Sequence, residues 1–458
     1  MEKTIAAIST GLTPSGIIIV RMSGPEAISI ADSVYRGRGK KRLVNQKTHT
    51  IHYGFIHDNG TDIDEVLVSV MKAPYTYTGE DIAEINCHGG IMVSRQVLEL
   101  LLRRGAVLAE PGEFTKRAFL NGKMDLSKAE AVIDVIDAKN RYALKAGVSG
   151  LKGEVEKKVK ALRDRILDEV SYIEAALDDP EHYDLTGFGE ELKPRIEEIQ
   201  KELQVLIRRS EYGSVLKEGI RTVIAGRPNA GKSSLLNLLS GYEKAIVTEI
   251  PGTTRDILEE TIQLGPVSLN LMDTSGLRET DDRVEKIGVN KAKEALSDAD
   301  LILYLVDAKE GMTEEDREVL NSLSEQPVIL LKNKTDVEGT EEGPLLDGAF
   351  SGKIREISFS ALTGKGLDEL ESLILSMFAE SEILMNDEVV ITNERQKACL
   401  IASERAAELV LEGIDLGQSE EFLTVDLMEM YAELGKIIGE EVGDDVINRV
   451  FEKFCMGK

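Results

Sequence analysis

At 458 residues, 42% of them hydrophobic and 30% charged, the chain has the make-up of an ordinary globular protein and is too long for one core, so about three domains are expected. The formal net charge of −27 disfavours indiscriminate nucleic-acid binding, so any RNA partner must meet a local basic patch or be shared with a second, more basic protein. No apolar run approaches the roughly 18 residues of a membrane helix, the opening MEKTIAAISTGLTPSG lacks a signal-peptide layout, and the scattered Cys87, Cys399 and Cys455 point to a reducing cytoplasm without disulfides.

Residues 1–118 read as mixed α and β. GIIIVRMSG, IHYGFIHD and DEVLVSVMK have the pattern of strands, and SRQVLELLLRRG that of an amphipathic helix closed by glycine. Over 119–215 the pattern is helical. Leu151, Val155, Val159, Leu162, Ile166, Val170, Ile173 and Leu177 recur at steps of three and four, and a second stripe, Ile196, Ile199, Leu203 and Leu206, returns after the turn near Asp178 to Gly189. The spacing predicts an antiparallel helical bundle. Residues 216–378 alternate strand and helix, with RTVIAG, SLNLMDT, LILYLVD, PVILLKN and REISFS as apolar strands of a mostly parallel, doubly covered sheet. Residues 379–458 are helical again. The expected fold class is α/β plus all-α: an N-terminal α+β domain and a discontinuous helical bundle, with a P-loop GTPase domain inserted between its two halves.

The inserted segment carries the most specific chemistry. GRPNAGKS, Gly226 to Ser233, fits G-x-x-x-x-G-K-[ST] between a strand and a helix. Gly226 and Gly231 let backbone N–H groups turn inward around phosphate oxygens, Lys232 reaches the β- and γ-phosphates, and Ser233 ligates Mg²⁺. The loop's Asn229 and Ala230, and Ser234 on the helix, complete this wall. DTSG supplies Asp273, Thr274, Ser275 and Gly276, with Asp273 holding Mg²⁺ through water and the Gly276 N–H sensing the γ-phosphate. NKTD supplies Asn333, Lys334 and Asp336, whose carboxylate accepts from the N1–H and amino group of guanine; adenine offers neither pairing. Ser360, Ala361 and Leu362 form the SAL segment. Four such elements in order define a GTP- and GDP-binding GTPase.

Between the first two motifs, EIPGTTRD is the expected γ-phosphate sensor, with Thr254 offering a hydroxyl to Mg²⁺ opposite Ser233 and Thr253 beside it. Many small GTPases place a water-orienting Gln directly after the DTSG-type glycine; here Leu277 can neither donate nor accept. Arg278, Glu279, Asp281, Asp282 and Glu285 follow, and spacing does not choose among them. Arg255 reads either as an arginine finger or as a surface contact. The side-chain carbonyl of Asn229 offers a ligand for a monovalent cation against the phosphates.

Outside these motifs the chain carries TPSGIIIVRMSG, TGEDIAEINCHGG at 78–90, PGEFTKRAFLNGKMDLSKAEA at 111–131, and a terminal FCMGK. In these it resembles the MnmE (TrmE) family of bacterial tRNA-modification GTPases over essentially its full length. DTSG where DTAG is commoner, and Met456 in FCMGK, are small departures. The resemblance implies a folate-binding N-terminal domain that also dimerises, and GTP hydrolysis that depends on K⁺ and Mg²⁺. It implies work on tRNA with the FAD-binding partner MnmG, as a heterotetramer. Together they add a (carboxymethyl)aminomethyl group at carbon 5 of the wobble uridine, with a reduced folate (5-formyl- or methylene-tetrahydrofolate) as the one-carbon source. It further implies that Asn229, Thr248, Ile250 and Thr253 surround K⁺, with Thr248, Thr253 and Thr254 also lining the nucleotide. Glu285 orients the attacking water. Arg21, Glu84, Lys123 and Lys458 contact folate, and Cys455 sits in the family's terminal cysteine motif, as a nucleophile or as packing beside Phe451 and Phe454. Cys87-His88 suggests strand core before a Gly-Gly turn rather than a metal site. The competing reading is a ribosome-assembly or regulatory GTPase that binds RNA or protein without modification chemistry.

Overall fold

A computed structural model describes residues 3–37, 39, 41–183, 185–241, 260–265, 267–272, 299–323, 326–338, 343–346, 354–378, 391–440, 442–455 and 457–458. Its elements run β1 (Ile5–Ile8), β2 (Ile17–Ser23), α1 (Ala27–Val34), β3 (Tyr35–Gly37), β4 (Thr50–Asp58), β5 (Thr61–Met71), β6 (Ile82–His88), α2 (Ile91–Arg103), β7 (Val107–Leu108), α3 (Glu113–Leu120), α4 (Leu126–Ile136), α5 (Arg141–Leu151), α6 (Glu154–Asp178) and α7 (Phe188–Glu218). They continue β8 (Ile220–Gly226), α8 (Lys232–Gly241), β9 (Glu260–Leu264), β10 (Val267–Leu271), β11 (Leu301–Asp307), α9 (Glu314–Ser322), β12 (Val328–Asn333), β13 (Ile354–Ser358), α10 (Leu367–Phe378), α11 (Glu394–Asp415), α12 (Glu420–Ile438) and α13 (Asp444–Phe451). Two compact units result: Met1–Ile133 with Gly150–Leu185 and Ser419–Lys458, and Asp134–Ser149 with Thr186–Gln418.

The first unit contains a seven-stranded sheet, β3-β4-β5-β6-β2-β1-β7, antiparallel except where β1 meets β7. Side chains alternate across its plane, as strand geometry demands. Val20 and Met22 of β2, Val66, Val68 and Val70 of β5, and Ala83, Ile85 and Cys87 of β6 face a core that α1 and α2 close with Val34, Val97, Leu100 and Leu101. The residues between them, Arg21 and Glu84 among these, therefore point to the opposite face, where register places the two side by side.

The stripe on α6 behaves as its period demands. Val155, Val159, Leu162, Ile166, Val170 and Ile173 are buried, and the helix packs along α12 of the C-terminal segment, whose Leu423, Leu427, Met430 and Leu434 are buried in turn. Each such side chain contributes ~1.5–3 kcal/mol on burial. Arg163 is the polar member of the seam, its guanidinium carbon 3.9 Å from the Tyr431 ring centroid and its Nη1 paired with Glu440.

In the second unit α7 packs along α11, burying Ile196, Ile199, Leu203 and Leu206. The two stripes read from sequence as an antiparallel helical bundle each pack on a helix from beyond residue 378. A local period fixes which face is buried and is silent on what covers it. The sheet of this unit is β13-β12-β11-β8-β10-β9, parallel except for the β9–β10 hairpin. Both faces are apolar, Leu303, Leu305, Ile329 and Leu331 on one and Ile302, Tyr304, Val306 and Leu330 on the other. The central strands consequently read as continuous hydrophobic runs.

Candidate functional site

Strand β8 ends at Gly226 and α8 begins at Lys232, so the intervening loop lies outside the carboxyl end of a central parallel strand, where such sheets place ligands. Gly226 has φ 138° and Gly231 φ 105°, conformations closed to L side chains. A Cβ at Gly226 would enter the Leu305 carbonyl, and one at Gly231 the Asn333 side-chain amide. The loop is therefore seated against β11 and the end of β12, with no room for a larger residue at either hinge. Lys232 Nζ donates to the carbonyls of Gly226 (2.6 Å) and Arg227 (2.9 Å), which curls the ammonium over the loop. Ser233 and Ser234 are exposed in the first turn of α8, where free N–H groups favour anions. Asn229 is exposed and left-handed at φ 62°. A backbone cradle of this shape suits phosphate.

The NKTD segment is tied to the loop by one side chain. Asn333, buried at the end of β12, donates from Nδ2 to the Ala230 carbonyl (2.7 Å) and accepts at Oδ1 from the Ala361 N–H (2.9 Å). Loop, NKTD and SAL segments are thereby locked in mutual register. Lys334 is left-handed at φ 66°, and its Nζ lies 2.7 Å from Asp307 Oδ2 at the end of β11. Burial raises the Asp307 carboxyl, but the bonds from Lys334 and from the Lys309 N–H outweigh it and leave the group below its ordinary value. Buried Ser360 donates to Asp336 Oδ1 (2.6 Å), orienting an exposed carboxylate. Ala361 is buried, and Leu362 is 82% exposed. The expected Thr248, Ile250, Thr253, Thr254, Asp273, Thr274, Ser275, Gly276 and Glu285 lie outside the described residues, as do Arg255, Leu277 and the charges through Asp282.

Sequence reasoning passed over two supports of this site. Arg227, inside the loop, pairs with Glu310 (2.8 Å) and approaches buried Asp316 (3.3 Å), which also accepts from Tyr304 and caps α9. Asp307 is the other. Their only sequence signal is position, one inside the glycine loop and one at a strand end.

A second polar cluster lies in the first unit. Arg21 Nε donates to Glu84 Oε1 at 2.7 Å, both side chains about one-fifth exposed. The guanidinium carbon sits 6.0 Å from the Tyr77 ring centroid and 5.7 Å from that of Phe114. The C-terminal tail closes one side: Arg21 Nη1 donates to the Gly457 carbonyl (3.5 Å), and the Lys458 carbonyl accepts from the Phe114 N–H (3.2 Å). A Cβ at Gly457 would meet Ser9 Cα at 2.7 Å, so the tail lies tight on the sheet. Arg21, Glu84 and Lys458 are thus brought together. Lys123 is exposed and donates to the Pro74 carbonyl (2.9 Å), on the same loop that carries Tyr77. A half-buried carboxylate beside a guanidinium, flanked by aromatic rings, suits a flat heterocycle with amide donors and an anionic tail.

Tyr77, Phe114 and the Glu80–Arg117–Glu113 network behind them were missed. The aromatic pair Tyr75 and Tyr77 just before TGED was the available signal for Tyr77. Cys455 is exposed while Phe451 and Phe454 are buried, so its side chain does not share their packing. Cys87 is buried in β6, and burial with the Asp64 charge pushes its thiol up to about 12, which suits core rather than a ligand. His88 bonds Asp64 instead (2.7 Å). Among the described residues no cluster of His, Cys, Asp and Glu is placed to hold a metal.

A mostly parallel sheet with a glycine cradle at the switch between strands, its rim joined to the NKTD segment, defines a P-loop GTPase. A family model described as the MnmE helical domain matches residues 126–455, and one described as the GTP-binding protein TrmE N-terminus matches 4–123. The chain is 50% identical over 456 residues to the tRNA modification GTPase MnmE of Lachnoclostridium phytofermentans, covering 99% of each. It is 45% identical over 465 residues to the protein of that name in Bacillus subtilis, covering 99% of this chain and 100% of the relative. It is also similar to the solved G domain of the T. maritima FeoB iron transporter, at 29% identity over 35% of this chain and 99% of that one, with a TM-score of 0.25. The chain belongs to the MnmE family of tRNA modification GTPases.

Proposed function

We propose that this chain is the GTP-hydrolysing component of a complex that modifies carbon 5 of the tRNA wobble uridine, using a reduced folate and acting as a cytoplasmic homodimer with the FAD-binding MnmG. Its parts are an N-terminal folate and dimerisation domain (1–118), a helical domain in two pieces (119–215 and 379–458), and a GTPase domain (216–378). The observation that carries the reading is that one chain joins a guanine-nucleotide cradle to an Arg21–Glu84 cleft closed by its own terminal FCMGK segment. A ribosome-assembly switch has no use for that cleft.

In the GTPase domain, Lys232 and the loop N–H groups hold the phosphates, Asn333, Lys334 and Asp336 read guanine, and Ser360, Ala361 and Leu362 shape the base slot. Ser233 and Thr254 are the Mg²⁺ ligands, and Asn229, Thr248, Ile250 and Thr253 the K⁺ ligands; bound there, the cations supply positive charge against the developing phosphate charge. Glu285 orients the water, because Leu277 cannot. In the cleft, Glu84 accepts from the pterin while Arg21, Lys123 and Lys458 attract the carboxylates of the glutamate tail. Cys455, exposed on the same tail, acts on the carried one-carbon unit or shapes its pocket. Calorimetric titration of the purified protein with 5-formyltetrahydrofolate tests the reading. Stoichiometric binding, weakened in Arg21→Ala with GTP affinity intact, is expected; no binding by the intact protein refutes it.

A further inference from the structure

In a chain of net charge −27, residues 36–47 read RGRGKKRLVNQK, a concentration of cations that the GTPase and folate readings leave unused. Arg38 and Lys40 lie outside the described residues. The rest folds over the β3–β4 edge of the first unit's sheet, where a hollow of about 230 Å³ is lined among others by Tyr35, Lys41, Arg42, Ile51, His52 and Tyr53. None of its lining residues is acidic.

The hollow is built into the fold. The Tyr35 hydroxyl donates to the Tyr53 carbonyl (2.8 Å), and a Cβ at Gly37 would stand 2.9 Å from the Tyr35 ring, so the ring lies where only glycine leaves space. Nearly buried Asp32 accepts from Arg42 (2.6 Å), which sets the direction of a guanidinium that stays 67% exposed. Lys41 is exposed, with no partner among the described residues. Its charge, after burial, lowers the basicity of His52, so the two stand close together. His52 lies on the same face of β4 as Gly54, against which the Tyr35 ring packs, so His52 joins Lys41 and Arg42 at the hollow, while Ile51 and Tyr53 give it backbone and project from the other face.

Cations gathered at one sheet edge of a strongly acidic chain, with no acidic residue lining the hollow, suit a phosphodiester. The volume lies below the roughly 300–1,000 Å³ of ordinary small-molecule pockets. We infer that this hollow receives the sugar–phosphate backbone of an RNA strand, Lys41 and Arg42 bonding the phosphate beside His52. The inference rests on the tRNA-modification reading and locates the local basic patch that an acidic chain needs for such a substrate.

The test is fluorescence anisotropy of an unmodified tRNA transcript with the full-length protein across a KCl series. Lys41→Glu is expected to weaken binding about fivefold to tenfold and to make the slope of log K against log salt shallower by about 1, with GTP hydrolysis unchanged. Lys41→Arg should retain affinity. Wild-type affinity and salt slope in Lys41→Glu overturn the inference, and so does failure of the wild-type protein to bind the transcript. Inorganic phosphate that shifts the His52 resonances, while the transcript does not, assigns the hollow to a free anion and overturns it too. The modification reading fails separately, through unchanged wobble uridines in a strain lacking the gene.

Discussion

Asn333 shows how much a single side chain can hold. Its two bonds join the phosphate loop at Ala230 to the base-side segment at Ala361 in a buried setting. Asn333→Ala leaves a buried carbonyl and a buried N–H unpaired, at a cost of about 1–3 kcal/mol each. Both the melting temperature and GTP affinity are expected to fall; a melt and a nucleotide titration matching wild type would contradict the linkage. Gly231 is equally constrained, since φ 105° is strained for alanine and its Cβ would enter Asn333. Gly231→Ala should weaken GTP about tenfold or more, measured by the same titration. With Leu277 unable to position water, turnover is expected to be faster in KCl than in NaCl and to be lost in Glu285→Ala. Equal rates in the two salts would remove the K⁺ ligands from the account.

Between elements, Glu156 of α6 joins its helix to α4. It accepts from Lys128, and from Lys160 at 2.7 Å one turn on. These bonds, Lys128's first, outweigh burial and hold the carboxyl down at about 2, against an ordinary 4.5. A depressed carboxyl contributes stability that is whole above its unfolded value and fades as the pH falls through its folded one. Glu156→Gln should therefore melt below wild type near neutrality, with the gap closing between about pH 4.5 and 2. A gap that persists at pH 2 would mean the loss is one of packing. Solvent screening at this partly exposed site keeps the effect small. Element by element, the long central strands of the nucleotide sheet and the stripes on α6 and α7 were legible because burial imposes a period on residue type. Strands β1, β3 and β7 were not, having four residues or fewer, which is too short for alternation to register. Nor was α1, whose AISIADSV is apolar on too many sides to separate helix from strand. The motifs of the proposed nucleotide site stand out in the sequence because phosphate and guanine demand fixed residue types in a fixed order. Arg21 and Glu84 were reached through family motifs alone, because a separation of 63 positions conceals a contact made only by sheet register. Tyr77, Phe114 and Asn333's bridging bonds are products of tertiary packing, which no local pattern records.

At the scale of the whole chain, a GTPase sheet is inserted between helical segments whose partners come from opposite ends of the sequence, α6 with α12 and α7 with α11. That arrangement makes each helical pairing depend on the chain returning after the nucleotide domain, and it seats the terminal segment on the N-terminal sheet beside Arg21. For a strongly acidic protein the proposed contact with tRNA requires a confined basic surface or a partner. The account's central claim is that nucleotide hydrolysis and the folate cleft serve one modification reaction. Mass spectrometry of wobble uridines in bulk tRNA measures it most directly, comparing a strain lacking this gene with strains restored by the wild-type chain or by Arg21→Ala. Loss of the carbon-5 modification in the deletion, with recovery by wild type and not by Arg21→Ala, is the predicted result. Wobble uridines modified to the same extent in all three strains would contradict it.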